Sequence, residues 1–274
     1  MRKLKELKFY IFVFVFILVV ISLAALSTTN DEIIENENNE EVFFASVDGT
    51  NYTIEEFKIL INDSKKINQS LFANATTLVI NGIKNEDVDI NFLRFFPNLK
   101  SLVITNCEVN DINIINKLEM LETLQLSNNI IVNGLTLDIE ALKTIYIHNC
   151  QLKLDSINTQ QLNSLYITNM EIDQYLINAF SHTFEVNTLV LDNSTIDSIN
   201  TIAYFDNIST LSLKNTTVME NDYEKLCRFS KLDTIYLDDN IDREAINFML
   251  NHFKNGDIIS SAYIVAERNN LGLR

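Results

Sequence analysis

An eleven-residue pattern recurs along the chain and constrains its fold more than any other feature. Seven copies align without gaps, and their first residues are separated by 22, 21, 20, 24, 22 and 24 residues. The copies are LKSLVITNCEV (99–109), LETLQLSNNII (121–131), LKTIYIHNCQL (142–152), LNSLYITNMEI (162–172), VNTLVLDNSTI (186–196), ISTLSLKNTTV (208–218) and LDTIYLDDNID (232–242). A weaker copy, ATTLVINGIKN, occupies 75–85. A repeat of this length indicates structural units that stack along one direction.

The positions within each copy are numbered here as slots 1 to 11. In the seven stronger copies, slots 1, 4, 6 and 11 comprise 28 positions, of which Leu, Ile or Val fills 27 and Asp242 is the exception. Apolar slots 4 and 6 alternate with slots 3, 5 and 7, which is typical of a half-buried strand. No copy can bury its apolar face alone, so neighbouring copies must stack.

This pattern resembles that of the leucine-rich repeat family, L-x-x-L-x-L-x-x-N/C-x-L with a period of 20–29 residues. The resemblance covers about 75–242. It implies an α/β solenoid, a horseshoe of about eight repeats with short parallel strands on its concave face. Apolar residues recur at helical spacing in 110–120, 173–184 and 221–229, whereas 155–161 is too short for more than an irregular turn. We therefore expect a convex side that mixes helical, 3-10 and irregular segments.

Both ends of such a solenoid need caps, because an end repeat exposes its core. The segment 42–74 is predicted to form the N-terminal cap, with a turn at Asp48-Gly49 between two strands. Thr53 precedes a helical pattern and Glu56 follows three residues later, which predicts a capping box. The segment 243–274 is predicted to form the C-terminal cap and tail, with a helix over 243–253 and a strand over 258–265.

The N-terminus has the pattern of an export segment. A basic flank at 1–8 is expected to stay cytoplasmic, and 9–30 contains no charged residue. The apolar part of 9–30, eighteen residues long, would span about 27 Å as a helix, close to the thickness of a bilayer core. An uncleaved signal anchor fits that length, and a cleaved signal peptide is the alternative. The acidic run at 31–41 is predicted to be a solvated stalk. The repeat domain would be extracellular or lumenal, held by a single membrane pass or secreted.

Charge and motif content narrow the functions open to the chain. The formal net charge is −16, which argues against nucleic acid as a partner. The three histidines are scattered, and neither metal-ligand spacing nor a catalytic motif occurs. We therefore predict a protein that is not an enzyme and that uses no metal and no cofactor.

The three cysteines are too few for a disulfide scaffold. Cys107 and Cys150 share slot 9 two repeats apart, at a spacing of about 9–10 Å. A disulfide requires Cα atoms within about 7 Å, so both should be buried free thiols. Cys227 is expected to be buried as well, and a cross-link between two chains is the alternative.

Slots 8 and 9 suggest structural roles. Slot 8 is Asn in six copies, and asparagine suits the turn at a strand exit. In the family, Asn or Cys at slot 9 bonds the backbone at the inner bend. Met170 departs from that pattern, so the polar ladder should be interrupted there.

The concave face is the predicted recognition surface, because side chains in slots 5 and 7 should point away from the core. Tyr146 and Tyr166 occupy slot 5 of consecutive copies, so their rings should lie side by side and exposed. Exposed tyrosines are enriched at binding hot spots, although tyrosine also simply suits strands. The full predicted partner-binding set is Tyr146, His148, Tyr166, Thr168, Asp192 and Lys214.

The sequence thus predicts an exported leucine-rich repeat protein that binds a protein partner through its concave face. The identity of the partner cannot be read from the sequence. A structural, self-associating component of a surface coat is the alternative function.

Overall fold

The computed structural model describes residues 43–62, 67–84, 88–181, 183, 185–238, 241, 243–252 and 257–259. The predicted basic flank at 1–8, the apolar segment at 9–30 and the acidic stalk at 31–41 lie outside these residues. Within the described part of the chain, no helix is both long enough and apolar enough to cross a membrane.

A single curved series of strands forms the main sheet, which has eleven strands among the described residues. The repeat strands and the last strand are parallel, and each pairs with its neighbour in chain order. The strands are Ala45–Val47, Thr50–Tyr52, Thr77–Asn81, Ser101–Thr105, Thr123–Ser127, Thr144–His148, Ser164–Thr168, Thr188–Val190, Thr210–Ser212, Thr234–Tyr236 and Asp257–Ile259. The predicted α/β solenoid with short parallel strands is therefore confirmed.

The register of the sheet follows the slots of the sequence pattern. Slot 3 of one copy pairs with slot 3 of the next, as in Thr123 with Thr144 and Ser164 with Thr188. Side chains in slots 4 and 6 consequently point into the core, where Leu165 and Ile167 are both 0% exposed. Each repeat contributes one such layer, and the core is continuous along the solenoid.

Aromatic rings fill the core before and beside the first repeats. The Phe57 ring lies 5.0 Å from the Phe92 ring and 6.4 Å from the Phe72 ring, measured between centroids. The Phe72 and Phe96 rings are 4.7 Å apart. These contacts join the helices Ile54–Asn62 and Ile67–Asn74 to the first return segment.

The convex side combines several kinds of short element, and the sequence of the return segments predicted such a mixture. Its helical elements are the 3-10 turns Ile90–Phe95, Asn113–Lys117, Ile199–Ile202 and Tyr223–Arg228 and the α-helix Gln174–Asn178. Short parallel strands flank them: Glu108–Val109 with Ile130–Ile131, Leu135–Leu137 with Leu154–Ile157, and Glu171–Ile172 with Thr195–Ile196 and Thr217–Val218.

The expectation of a purely irregular turn over 155–161 is wrong for its first residues. Leu154–Ile157 forms a strand that pairs in parallel with Leu135–Leu137. Leu154 and Ile157 are buried, so pairing shields their apolar side chains and satisfies the backbone between them.

The segment before the repeats contains the predicted turn and capping box. Asp48 and Gly49 have φ angles of 45° and 83°, in the left-handed region that a tight hairpin turn requires. The backbone N–H of Thr53 donates to Oε2 of Glu56 at 2.8 Å, and the N–H of Glu56 donates to Oγ1 of Thr53 at 3.4 Å. These reciprocal bonds begin the helix Ile54–Asn62.

Asp48 also ties the hairpin to the first repeat. Its Oδ1 accepts the backbone N–H groups of Thr76 and Thr77 at 3.0 and 2.8 Å, together with both threonine hydroxyls. Partial burial opposes the shift, but these hydrogen bonds hold the pKa of the Asp48 carboxyl below its usual value.

At the other end, the helix Arg243–His252 and the strand Asp257–Ile259 occur where the sequence predicts a helix and a strand. The remainder of the predicted strand and the tail beyond it lie outside the described residues.

Every slot-8 asparagine adopts the left-handed conformation predicted for a strand exit. The φ angles are 54° at Asn106, 53° at Asn128, 47° at Asn149, 56° at Asn169, 57° at Asn193 and 52° at Asn215. Asparagine tolerates this region better than most residues. Several of the side chains also bond one another between repeats; for example, Asn149 donates to Asn128 at 2.9 Å.

Slot 9 links neighbouring repeats through buried polar groups. Asn129 accepts the N–H of Cys107 at 2.9 Å and donates to the carbonyl of Ile104 at 2.8 Å. Met170 differs, because its side chain packs against the hydrophobic core. Its own N–H is accepted by the hydroxyl of Ser194 at 3.3 Å.

Candidate functional site

The centre of the concave face is a stacked pair of tyrosines. The strand register places Tyr166 directly opposite Tyr146. Their ring centroids are 4.3 Å apart and their planes differ by 20°. The predicted adjacency of the two rings is therefore confirmed, and the stack forms because parallel strands bring equal slots together.

The expected exposure of Tyr146 is wrong. Its side chain is only 6% exposed, whereas Tyr166 is half-buried. Gln125 lies beside Tyr146 in register on one side and Tyr166 lies on the other. The Tyr166 ring stacks on the Tyr146 ring and covers one of its two faces. Tyr166 provides the accessible part of the pair.

Burial favours the neutral form of both phenols. It raises the pKa of Tyr146, and the adjacent Tyr166 raises it further, through electrostatic repulsion between the ionised phenols and through a hydrogen bond between the two side chains. Burial also raises the pKa of Tyr166, although hydrogen bonds from Tyr146 and Ser164 partly oppose the shift. Both phenols are therefore neutral at physiological pH, and the pair forms a rigid apolar platform with polar tips.

His148 and Thr168 occupy slot 7 beside the tyrosines and are paired in register. The Nδ1 atom of His148 and the Oγ1 atom of Thr168 lie 2.9 Å apart. Burial lowers the pKa of His148, which favours the neutral imidazole. This pair borders the platform with hydrogen-bonding groups that carry no charge at neutral pH.

Asp192 and Lys214 follow in the same slot. Oδ1 of Asp192 accepts the hydroxyl of Ser212 at 2.6 Å and the backbone N–H of Lys214 at 3.0 Å. Burial raises the pKa of Asp192, while these hydrogen bonds and the Lys214 charge act against it. The Lys214 ammonium lies 5.0 Å from the centre of the Tyr236 ring. All six predicted residues thus line one continuous face.

Three further residues belong to this face but were not selected from the sequence. Gln125 lies beside Tyr146 in register, Ser212 donates to Asp192, and the Tyr236 ring lies against the Lys214 ammonium. All three occupy slot 5, which was the signal that could have identified them.

The concave columns are unusually poor in charge. Slots 3 and 5 contain no charged residue in any of the eight copies. Because 1–26 carries a net charge of +3, the remainder of the chain carries −19. The charges of the strand face therefore lie in other slots, such as slot 7 with Asp192, Lys214 and Asp238. The uncharged slot-3 and slot-5 columns match the depletion of charged residues at the centre of protein interfaces.

The thiols take no part in this face. Cys107 and Cys150 are buried and free, as predicted, and burial raises the pKa of each to about 11. Cys227 is free but only partly buried, so the prediction of a buried side chain is wrong there. Its position on the surface 3-10 turn Tyr223–Arg228 leaves one side of it open.

A cleft of about 380 Å³ lies elsewhere, between the first two return segments. Two of its carboxylates already accept hydrogen bonds from the backbone. Asp89 accepts the N–H of Asn91, and Asp111 accepts the N–H of Asn113. Among the described residues, no group of three His, Cys, Asp or Glu side chains could hold a metal ion.

Comparison with solved structures finds internalins of Listeria monocytogenes. InlF gives a TM-score of 0.48 at 16% identity, over 75% of this chain and 66% of that one. Internalin C2 gives 0.46 at 17% identity, over 76% and 91%. InlP gives 0.39 at 16% identity, over 68% and 62%. The chain thus spans just under two thirds of InlF and of InlP.

No model of a known protein family matches the chain, and no curated protein matches it. The architecture therefore rests on the molecule itself: the recurring slots, the parallel in-register strands and the left-handed asparagines at six strand exits. These features give the chain an α/β solenoid fold whose repeating unit follows the leucine-rich repeat pattern.

Proposed function

We propose that this protein binds a protein partner through its concave face, centred on the stacked tyrosines. The observation that carries the proposal is the Tyr146–Tyr166 stack in slot 5, since slots 3 and 5 hold no charged residue in any copy. Aromatic residues are enriched and charged residues are depleted at the centres of protein interfaces.

The neighbouring groups support the same function. His148, Thr168, Asp192 and Lys214 surround the platform with donors and acceptors. A rigid aromatic centre with a polar rim is the usual anatomy of an interface hot spot. Because the rings already contact each other, little side-chain entropy is lost when a partner covers Tyr166.

The proposal is tested with Tyr166→Ala, which removes the accessible ring. A partner is first isolated by crosslinking pulldown with the full chain, and its affinity is then measured by calorimetry. We expect the variant to bind more weakly by about 2 kcal/mol, or about thirtyfold.

Tyr175→Ala is the matched control, because Tyr175 is 50% exposed on the convex helix Gln174–Asn178. It should leave the affinity unchanged. Equal affinity of wild type and a folded Tyr166→Ala variant would contradict the proposed function. Concentration-dependent assembly of the isolated chain in ultracentrifugation would instead favour the coat component.

We further propose that the repeat domain is exported and tethered by 9–30. The basic flank before this uncharged segment and the acidic run after it support that orientation. A retained anchor keeps the first residues in the mature protein and resists extraction by alkaline carbonate. A mature N-terminus near Ala25 or Thr28 would show that the segment is a cleaved signal peptide.

A further inference from the structure

The concave face changes character beyond the tyrosine pair. Slot 5 continues from Tyr166 to Val190, Ser212 and Tyr236, so two small side chains separate two large rings. Three strand spacings place the two tyrosine backbones about 14 Å apart. Asp192 and Asp238 accompany this stretch in slot 7, with Lys214 between them.

Only one of the two carboxylate oxygens of Asp192 is engaged by the described residues. Both of its hydrogen bonds, from Ser212 and from the Lys214 backbone, end on Oδ1. Among the described residues, neither a hydrogen bond nor an ion pair engages Oδ2. Oδ2 is not among the fully buried unpaired atoms of that part of the chain, so part of its surface reaches solvent. A largely desolvated carboxylate with one open oxygen gains from a cation brought to it.

Lys214 does not fill this position. Its ammonium lies over the Tyr236 ring, 5.0 Å from the centroid, rather than on Asp192. The protein thus uses a tyrosine of this same column as a support for a cation. Tyr166 occupies the corresponding slot on the other side of Asp192.

We propose that an arginine side chain of the protein partner binds between Tyr166 and Asp192. Its planar guanidinium stacks on the exposed part of the Tyr166 ring and donates to Oδ2 of Asp192. Arginine fits better than lysine, because only a planar fork can stack and donate in the same pose. The net charge of −19 beyond 1–26 attracts a basic partner to the chain as a whole, and the Asp192 carboxylate is a negative group on this face that can receive a cation. This inference rests on the proposed function, since it specifies the partner of the same surface.

The test uses the full chain labelled with 3-fluorotyrosine, which reports on its nine tyrosines by fluorine NMR. N-acetyl-arginine amide is titrated into the protein, and the matching citrulline amide serves as an uncharged probe of the same shape. We expect a saturable shift of the Tyr166 signal with arginine amide only. The exposed Tyr175 on the convex side should not respond.

Three variants test whether the Asp192 carboxylate is the group that binds arginine amide. Asp192→Asn should weaken arginine amide by about tenfold. Asp233→Asn, which removes an exposed carboxylate from slot 2, should bind like wild type. Lys214→Gln should bind arginine amide more tightly than wild type, because a positive charge that acts on Asp192 and repels a second cation is gone. This variant keeps the test valid if Asp192→Asn unfolds.

Equal shifts with citrulline amide, or equal shifts at Tyr175, would overturn the arginine site. So would equal or weaker binding of arginine amide to folded Lys214→Gln. If arginine amide fails while Tyr166→Ala still weakens the captured partner, the arginine site is wrong and the proposed function stands. If both fail, the concave face is not the interface.

Discussion

Replacing Tyr146 tests the description of the concave face, because the structure buries a ring that strand alternation places outside the core. Tyr146 is 6% exposed. A buried aromatic side chain covers about 150–250 Å², which corresponds to about 4–6 kcal/mol at about 25 cal/mol per Å². The unfolded chain already hides part of this area, and alanine keeps some of it. We therefore expect Tyr146→Ala to lower the free energy of unfolding by about 2–4 kcal/mol.

Urea denaturation followed by circular dichroism measures this loss. Tyr166→Ala should cost less, because Tyr166 is only half-buried. The double variant should show a coupling of about 0.5–1.5 kcal/mol from the 4.3 Å stack. Tyr146→Phe is the control that keeps the ring, and it should cost about 1 kcal/mol or less. A loss below about 0.5 kcal/mol for Tyr146→Ala would refute the burial argument.

Three further perturbations test the rest of the fold. Leu165→Ala in the slot-4 column should cost about 2–5 kcal/mol in urea denaturation, since its side chain is 0% exposed; a loss under about 0.5 kcal/mol would mean that the register is wrong. Asp48→Ala should cost about 1–2 kcal/mol at pH 7. The pKa of Asp48 is lowered in the folded state, so its contribution is present at neutral pH and lost as the pH falls through that pKa; an equal cost at pH 7 and pH 2 would contradict this. Cys227 should react with iodoacetamide faster than Cys107 and Cys150, whose burial raises the pKa of each to about 11; equal rates by mass spectrometry would argue against their burial.

The fold was predictable because the sequence encodes it locally and repeatedly. Apolar slots 4 and 6 specify the core face of each strand, and the slot-8 asparagines specify its exit, as their left-handed φ angles show. The pairing of Leu154–Ile157 with Leu135–Leu137 was missed, because a short strand on the convex side depends on its neighbour rather than on its own pattern.

The sequence predicted which residues lie on the concave face, but it did not predict how deeply each side chain is buried there. The slots correctly placed Tyr146 beside Tyr166. Strand alternation assigns each residue to a face, but it does not say how far side chains on the inside of a curve cover one another. For the same reason, the position of Gln125 beside Tyr146 and the hydrogen bond from Ser212 to Asp192 were not predicted.

The claim that the concave face binds the partner is tested most directly by photo-crosslinking from defined positions. A photoreactive amino acid replaces Thr188 or Thr210 on the concave strands, or Glu140 or Glu224 on the return segments. With equal amounts of folded protein and captured partner, we predict crosslinked product from the two threonine positions and little from the two glutamate positions. Efficient crosslinking from the glutamate positions alone would place the partner on the convex side and contradict the account.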